Sequence, residues 1–184
     1  RLVEDLRRQG VLENPLIVFT GDNGYFHAER GLADKWFPYE EALRVPLVVC
    51  DPRMRPGVRG TTSDGFVLNL DVAPTLLAAA GVRVPAVVQG RDVSPLYTAE
   101  KLPPGRDEFY YQHPVILGPD RIPRSEAVVR RNVKYVWWPD YDFEELYDLH
   151  SDPAEERNLA RDPAHAVTLA GRRVALAAGR EAAR

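Results

Sequence analysis

Residues 15–24 read PLIVFTGDNG, a continuously apolar, β-branched run that ends abruptly on a polar cluster. Leu16–Phe19 is too short for a helix and has no polar alternation, which predicts a strand buried on both faces. In an open parallel sheet, ligands bind in the crevice beyond the carboxyl ends of the strands. Asp22 and Asn23 fall at that edge, flanked by Gly21 and Gly24, whose lack of a Cβ permits backbone conformations closed to other residues.

Outward from this stretch, strand and helix signals alternate. A polar loop runs to Lys35, a helical turn is predicted around Tyr39–Leu43, and Pro46–Cys50 reads as a second strand. DPRMRPGVRG, residues 51–60, is turn-rich and predicted to be exposed. Phe66–Leu70 reads as a third strand, followed by a helix over Val72–Ala80 with Asp71 as N-cap, Pro74 in the first turn and Gly81 just past the end. At the other end of the chain, RLVEDLRRQG reads as the last turns of an amphipathic helix stopped by Gly10, the opening of a piece of a longer protein. Strand, helix and strand in alternation predict an α/β fold whose mostly parallel sheet is flanked by helices.

The pattern changes around KLPPGRDE, residues 101–108, which divides the chain into 1–104 and a smaller 105–184. Beyond it, Glu108–Gln112, Ala127–Arg130 and Lys134–Trp138 are short β-like runs, and Glu145–Leu149 is a candidate fourth. No helical pattern separates them, so a small antiparallel sheet is expected. SDPAEERNLARDP, residues 151–163, reads as a short helix, and Ala164–Ala183 as a final one.

Composition excludes some functions. The 184 residues carry a net charge of −3, with scattered arginines, and so lack the electrostatic footprint of a nucleic-acid binder. No apolar stretch approaches the roughly 20 residues that cross a bilayer. The single cysteine, Cys50, rules out an internal disulfide framework, and its place after an apolar strand reads as a small structural hydrophobe.

Asp22 and Asn23 supply anionic and carbonyl oxygens, donors that suit a hard cation such as calcium. The same dipeptide context is also an ordinary Asx-Gly turn, and two donors do not complete a metal site. Lys35, one of three lysines, is either an exposed charge or, beside such a cation, a contact for a tetrahedral oxyanion. His27 is a candidate proton donor or substrate contact, with a plain loop histidine the favoured reading. Tyr110, Tyr111, His113, Trp137 and Trp138 either line a sugar-sized cleft or pack the small sheet, and packing is favoured.

Taken in order, FTGDNGYFHAERGLADKWFPYEEALRVPLVV, SDGFVLNLDVAPTLLAAAGV and ELYDLHSDPAEERNLA resemble the C-terminal catalytic segment of the sulfatase family, within the alkaline phosphatase superfamily. Matches run from about Leu2 to Asp162. The resemblance implies that Asp22 and Asn23 are Ca2+ ligands and that Lys35 contacts the sulfate group. It also implies hydrolysis of a sulfate ester of a sugar or small alcohol, through a formylglycine whose hydrated form attacks sulfur. That formylglycine and the remaining metal ligands would come from the N-terminal part of the same enzyme, so this segment alone is expected to be inactive. A periplasmic or extracellular location is implied, while the sequence itself leaves a cytoplasmic one open. Many relatives carry Gly-Glu-His-Gly where this sequence has Ala28, Glu29, Arg30 and Gly31, so Arg30 replaces the usual histidine and His27 does not occupy its position. The alternatives are a phosphodiester or phosphonate monoester hydrolase of the same superfamily and, for a full-length chain, a non-catalytic binding protein.

Overall fold

The computed structural model describes residues 1–101, 104–114, 118 and 120–183. In chain order the elements are α1 (Leu2–Arg8), β1 (Ile17–Thr20), β2 (Phe26–His27), β3 (Ala33–Asp34), α2 (Glu40–Leu43), β4 (Leu47–Cys50), α3 (Val72–Ala79), α4 (Pro95–Thr98), β5 (Glu108–His113), β6 (Ser125–Arg130), β7 (Val133–Trp138), β8 (Phe143–Asp148) and α5 (Ala166–Ala182). They form two compact units, Arg1–Asp22 with Pro46–Arg106, and Asn23–Val45 with Asp107–Arg184. The boundary expected after residue 104 lies beside residues 102 and 103, which are outside the described residues.

In the first unit, β1 and β4 pair antiparallel, with Ile17 opposite Cys50 and Thr20 opposite Leu47. The expected mostly parallel sheet is thus not seen here: no parallel pair occurs among the described residues. A parallel return needs a crossover of a dozen or more residues, usually a helix, and the only helical segments between these strands are a single 3-10 turn at Glu29–Gly31 and the four-residue α-helix α2. The expected burial on both faces is not met in this structure. Phe19 is 64% exposed and Val48 59%, and Cys50 is exposed rather than buried.

Two helices end as their glycines predict. Gly10 (φ +70°) donates to the Arg7 carbonyl and Val11 to Leu6; Gly81 (φ +68°) donates to Ala78 and Val82 to Leu77. Both are Schellman endings, in which a left-handed residue turns the chain back to satisfy the last carbonyls.

Asp71 departs from its expected role as a forward N-cap, and Phe66–Leu70 is not a strand. The carboxylate of Asp71, fully buried, accepts from the backbone N–H of Leu68 behind it and of Arg91 across the unit, both at 2.8 Å. Arg106 closes the group with a two-pronged contact at 2.7 and 3.0 Å. The Leu68 N–H that a strand would have paired laterally is consumed locally. Gly90 is required for the same knot, since a Cβ there would lie 1.8 Å from the Leu70 carbonyl oxygen.

The second unit is built on an antiparallel sheet of order β5-β6-β7-β8, with the C-terminal helix α5 packed on it. Strand alternation divides the side chains between two faces. Val128, Tyr135 and Leu146 meet Leu159, Leu169 and Leu176 on the α5 face. On the other face, Trp138 and Tyr147 meet Phe37 and Tyr39, which pack on the buried Phe26. Lys134, fully buried on this face, places its ammonium 2.7 Å from Glu40 and 2.8 Å from Glu155.

Residues 151–163 do not form the expected helix. Asp152 accepts from the N–H groups of Glu156 and Arg157, and Glu155 adopts φ +52°, which ends any helical turn. This geometry delivers the Glu155 carboxylate to Lys134 and to the Glu40 N–H at 2.9 Å, a need that helix formation would leave unmet.

Asp71 provides a test of the first unit. Burial would raise its pKa, but Arg106 and the two N–H donors outweigh burial and hold the carboxyl below its ordinary value. Its stabilisation is therefore complete above the unfolded-state value of about 4 and drains away as pH falls through that range. Asp71→Asn should cost about 3 kcal/mol at neutral pH, because Arg106 loses its buried partner. Urea unfolding of both proteins against pH should show the gap closing below about pH 4.

Candidate active-site segment

Directly after β1 the chain reaches Gly21 and Asp22. Asp22 is exposed, and its backbone carbonyl accepts from the side-chain amide of Asn69 within the first unit. Asn23 opens the second unit. Its amide nitrogen donates to the Gly24 carbonyl at 2.6 Å, which leaves the side-chain oxygen facing Lys35.

The local sequence explains how a lysine twelve residues away meets Asn23. Gly24 donates to the Ala42 carbonyl at 2.8 Å, so the chain lies directly on α2. A Cβ at position 24 would sit 1.9 Å from the Glu41 carbonyl oxygen, and only glycine fits. Phe26 then anchors the chain in the apolar face, and the hairpin of β2 and β3 pairs Phe26 with Asp34 and His27 with Ala33. This reversal returns Lys35, whose Nζ donates to Asn23 Oδ1 at 2.9 Å. The ammonium also lies 5.3 Å from the centre of the Trp36 ring. One of its three donors is thus engaged by Asn23.

The segment is conformationally strained. Ala28, Arg30, Asp34 and Trp36 all have positive φ, the last at +90°. Such geometry is rare for residues with a Cβ and persists only where surrounding contacts impose it. Arg30 supplies one such contact by donating to the carbonyls of Ala154 and of Glu155 (2.8 Å), while its guanidinium stacks 4.2 Å over Tyr39. Arg30 therefore acts as a tether of the loop. Tyr111 supplies the other contact, donating from its hydroxyl to the Trp36 carbonyl at 3.1 Å. Burial pushes the Tyr111 hydroxyl up to about 12, so it remains a donor throughout the physiological range.

His27 is exposed, with its ring 4.9 Å from that of Tyr25 and its backbone N–H held by the Glu29 carboxylate. Tyr110 donates to Glu126 at 2.7 Å, Trp138 to Glu145 at 2.9 Å, and Trp137 packs against the α5 core. An open groove of about 370 Å³ lies between Phe37, Tyr39, Trp138, Tyr141 and Phe143, with Arg30 and Glu145 in its wall. Both of those charges are already bonded within the fold. Arg30 carries no motif that marks it as a tether; only the fold, which brings the 154–155 turn to it, brings out that role.

Asp22 and Asn23 each carry a hard oxygen donor of the kind calcium takes. Among the described residues no group of three or more carboxylate, imidazole or thiol side chains could hold a metal ion, so these two are at most part of a ligand set.

Residues 28–178 match the family described as N-sulphoglucosamine sulphohydrolase, C-terminal. The chain belongs to the sulfatase family of the alkaline phosphatase superfamily, as a C-terminal portion. An N-acetylglucosamine-6-O-sulfatase of Bacteroides thetaiotaomicron is 35% identical over 162 residues, which are 86% of this chain and 29% of that protein. A solved structure in complex with D-glucosamine-2-N,6-O-disulfate superposes with a TM-score of 0.89 at 32% identity, covering 98% of this chain and 37% of the other. A phosphonate monoester hydrolase from Silicibacter pomeroyi superposes at 0.79 with 27% identity, covering 92% and 35%. The chain thus spans about a third of the length of the proteins it matches. No helix of the described residues is long and apolar enough to cross a membrane.

Gly24 tests the close approach on which the Asn23–Lys35 contact depends. Gly24→Ala should cost about 2 kcal/mol in denaturant unfolding, as over-packed sites do. It should also shift the NMR resonances of the Lys35 side chain; unchanged resonances would refute the dependence.

Proposed function

We propose that the protein containing this chain hydrolyses sulfate esters of saccharides or other small alcohols, with Lys35 as a contact for the sulfate oxygens. The observation that carries this reading is the 2.9 Å contact between Lys35 Nζ and Asn23 Oδ1, which unites two positions of the family motif across twelve residues. The Lys35 ammonium would balance charge on the transferring group, a contribution that is large when the donor is preorganised. Asn23 and Asp22 would hold calcium with ligands from outside this chain, and the cation would add Lewis-acid stabilisation of the same oxygens. A formylglycine from the N-terminal part of the enzyme would be the nucleophile. The saccharide reading draws support from the glucosamine disulfate bound by the structural relative. His27, on an exposed turn of the same loop, is a weaker candidate for the substrate's edge.

The same reading covers the remaining architecture. Residues 1–104 would complete a larger, mostly parallel α/β domain, in which the exposed Phe19 and Val48 of β1 and β4 become covered. Residues 105–184 would form the small C-terminal subdomain. A periplasmic or extracellular location fits the family resemblance.

In the intact protein, Lys35→Ala should lower kcat/KM for sulfate release by about 100-fold, the loss typical of one preorganised oxyanion contact. Asp22→Ala should abolish both activity and calcium binding measured by calorimetry, whereas Lys35→Ala should retain calcium. Calcium binding unaffected by Asp22→Ala would sink the metal assignment. The phosphonate hydrolase among the structural relatives favours a second reading in which phosphorus replaces sulfur. Matched 4-nitrophenyl sulfate and phenylphosphonate esters assayed side by side separate the two, and the sulfate ester is expected to have the higher kcat/KM.

A further inference from the structure

His113 stands apart from the other aromatic side chains of the small sheet. Tyr110, Tyr111 and Trp138 each reach a hydrogen-bond acceptor. His113 is only 8% exposed, yet its Nε2 is buried with no hydrogen-bond partner among the described residues. Native structures pair the large majority of buried polar side-chain atoms, so an exception calls for an explanation. Packing alone does not supply one, since a leucine would fill the same space at no polar penalty.

Its surroundings point to a ligand. The imidazole lies 5.5 Å from the Trp36 ring, and Lys35 Nζ lies 5.3 Å from the same indole. One aromatic plate therefore links His113 to the lysine. That plate sits on a left-handed backbone at φ +90°, held by the Tyr111 hydroxyl two residues along the same face of β5. Strain of this kind collects at ligand sites, where surrounding contacts over-determine it. Burial lowers the imidazole pKa, so the ring stays neutral and offers one donor and one acceptor nitrogen.

We propose that His113 and Trp36 form a subsite for the alcohol part of the ester, a pyranose ring whose hydroxyl hydrogen-bonds His113 while its C–H face lies on the indole. The inference rests on Lys35 being the sulfate contact, because that places the alcohol beside Trp36. The Cβ–Cγ torsion of histidine is broad and two-fold, so on this proposal the ring would meet the hydroxyl by rotating about that bond. A site that hydrogen-bonds a hydroxyl discriminates strongly against analogues lacking it.

The test uses the intact protein and N-acetyl-D-glucosamine as the probe, with binding followed by calorimetry. His113→Leu should weaken binding by about tenfold or more, the equivalent of one lost hydrogen bond. His113→Asn, which keeps a donor and an acceptor, should stay within about threefold of the wild type. Wild-type affinity in His113→Leu, equal loss in both variants, or no saturable binding to the wild type would each overturn the proposal. Sulfate release is scored separately: a protein that releases sulfate but binds the sugar independently of position 113 keeps the sulfatase reading and loses this one.

Discussion

A buried ammonium organises the second unit. Lys134 lies in the middle of β7 with no solvent exposure, and its charge is balanced by Glu40 at 2.7 Å and Glu155 at 2.8 Å. A charge so placed is tolerable only when paired, and losing one partner of a buried pair costs about 3–5 kcal/mol. Its two partners come from the start of the short helix α2 and from the turn after β8. Burial raises the Glu155 pKa against the opposing pull of Lys134, so the pair is held together under tension between desolvation and attraction. Both segments are thereby tied to one face of the sheet.

That tie lets a strained loop keep one shape. Four residues with a Cβ take positive φ between positions 28 and 36, an arrangement that a free loop would relax. Arg30 joins the loop to the 154–155 turn, and Tyr111 fixes the Trp36 carbonyl from β5. Lys35 sits between these restraints with its ammonium on Asn23. A flexible lysine carries considerable rotamer entropy, and a restrained backbone on either side reduces what must be lost on binding an anion. Arg30 has a structural consequence here, since its guanidinium is absorbed by backbone carbonyls and by the Tyr39 ring.

Much of this was legible in the sequence because it depends on local rules. The glycine stops at Gly10 and Gly81, the four strands of the small sheet and the final helix follow from spacing and capping chemistry, which operate within a few residues. Where the reading failed, a distant partner had intervened. Asp71 looks like an N-cap but turns back to Leu68 and across to Arg106; residues 151–163 look helical but are bent so that Glu155 can reach Lys134. Apolar β1 and β4 resemble doubly buried parallel strands, yet the chain between them offers no crossover helix and they pair antiparallel.

By itself, then, the sequence determined the family and the run of the small sheet and final helix, and it singled out Asp22, Asn23 and Lys35 as candidates by residue type. Those are properties of residue type and spacing. Only the tertiary structure decided that Lys35 meets Asn23, that Gly24 is needed because the α2 backbone occupies the space of a Cβ, and that Arg30 is a tether. It alone distinguished His113 from its packed neighbours. The physical reason is that a hydrogen bond or a forbidden contact depends on atoms a few ångströms apart, and local sequence does not specify which distant backbone will arrive there.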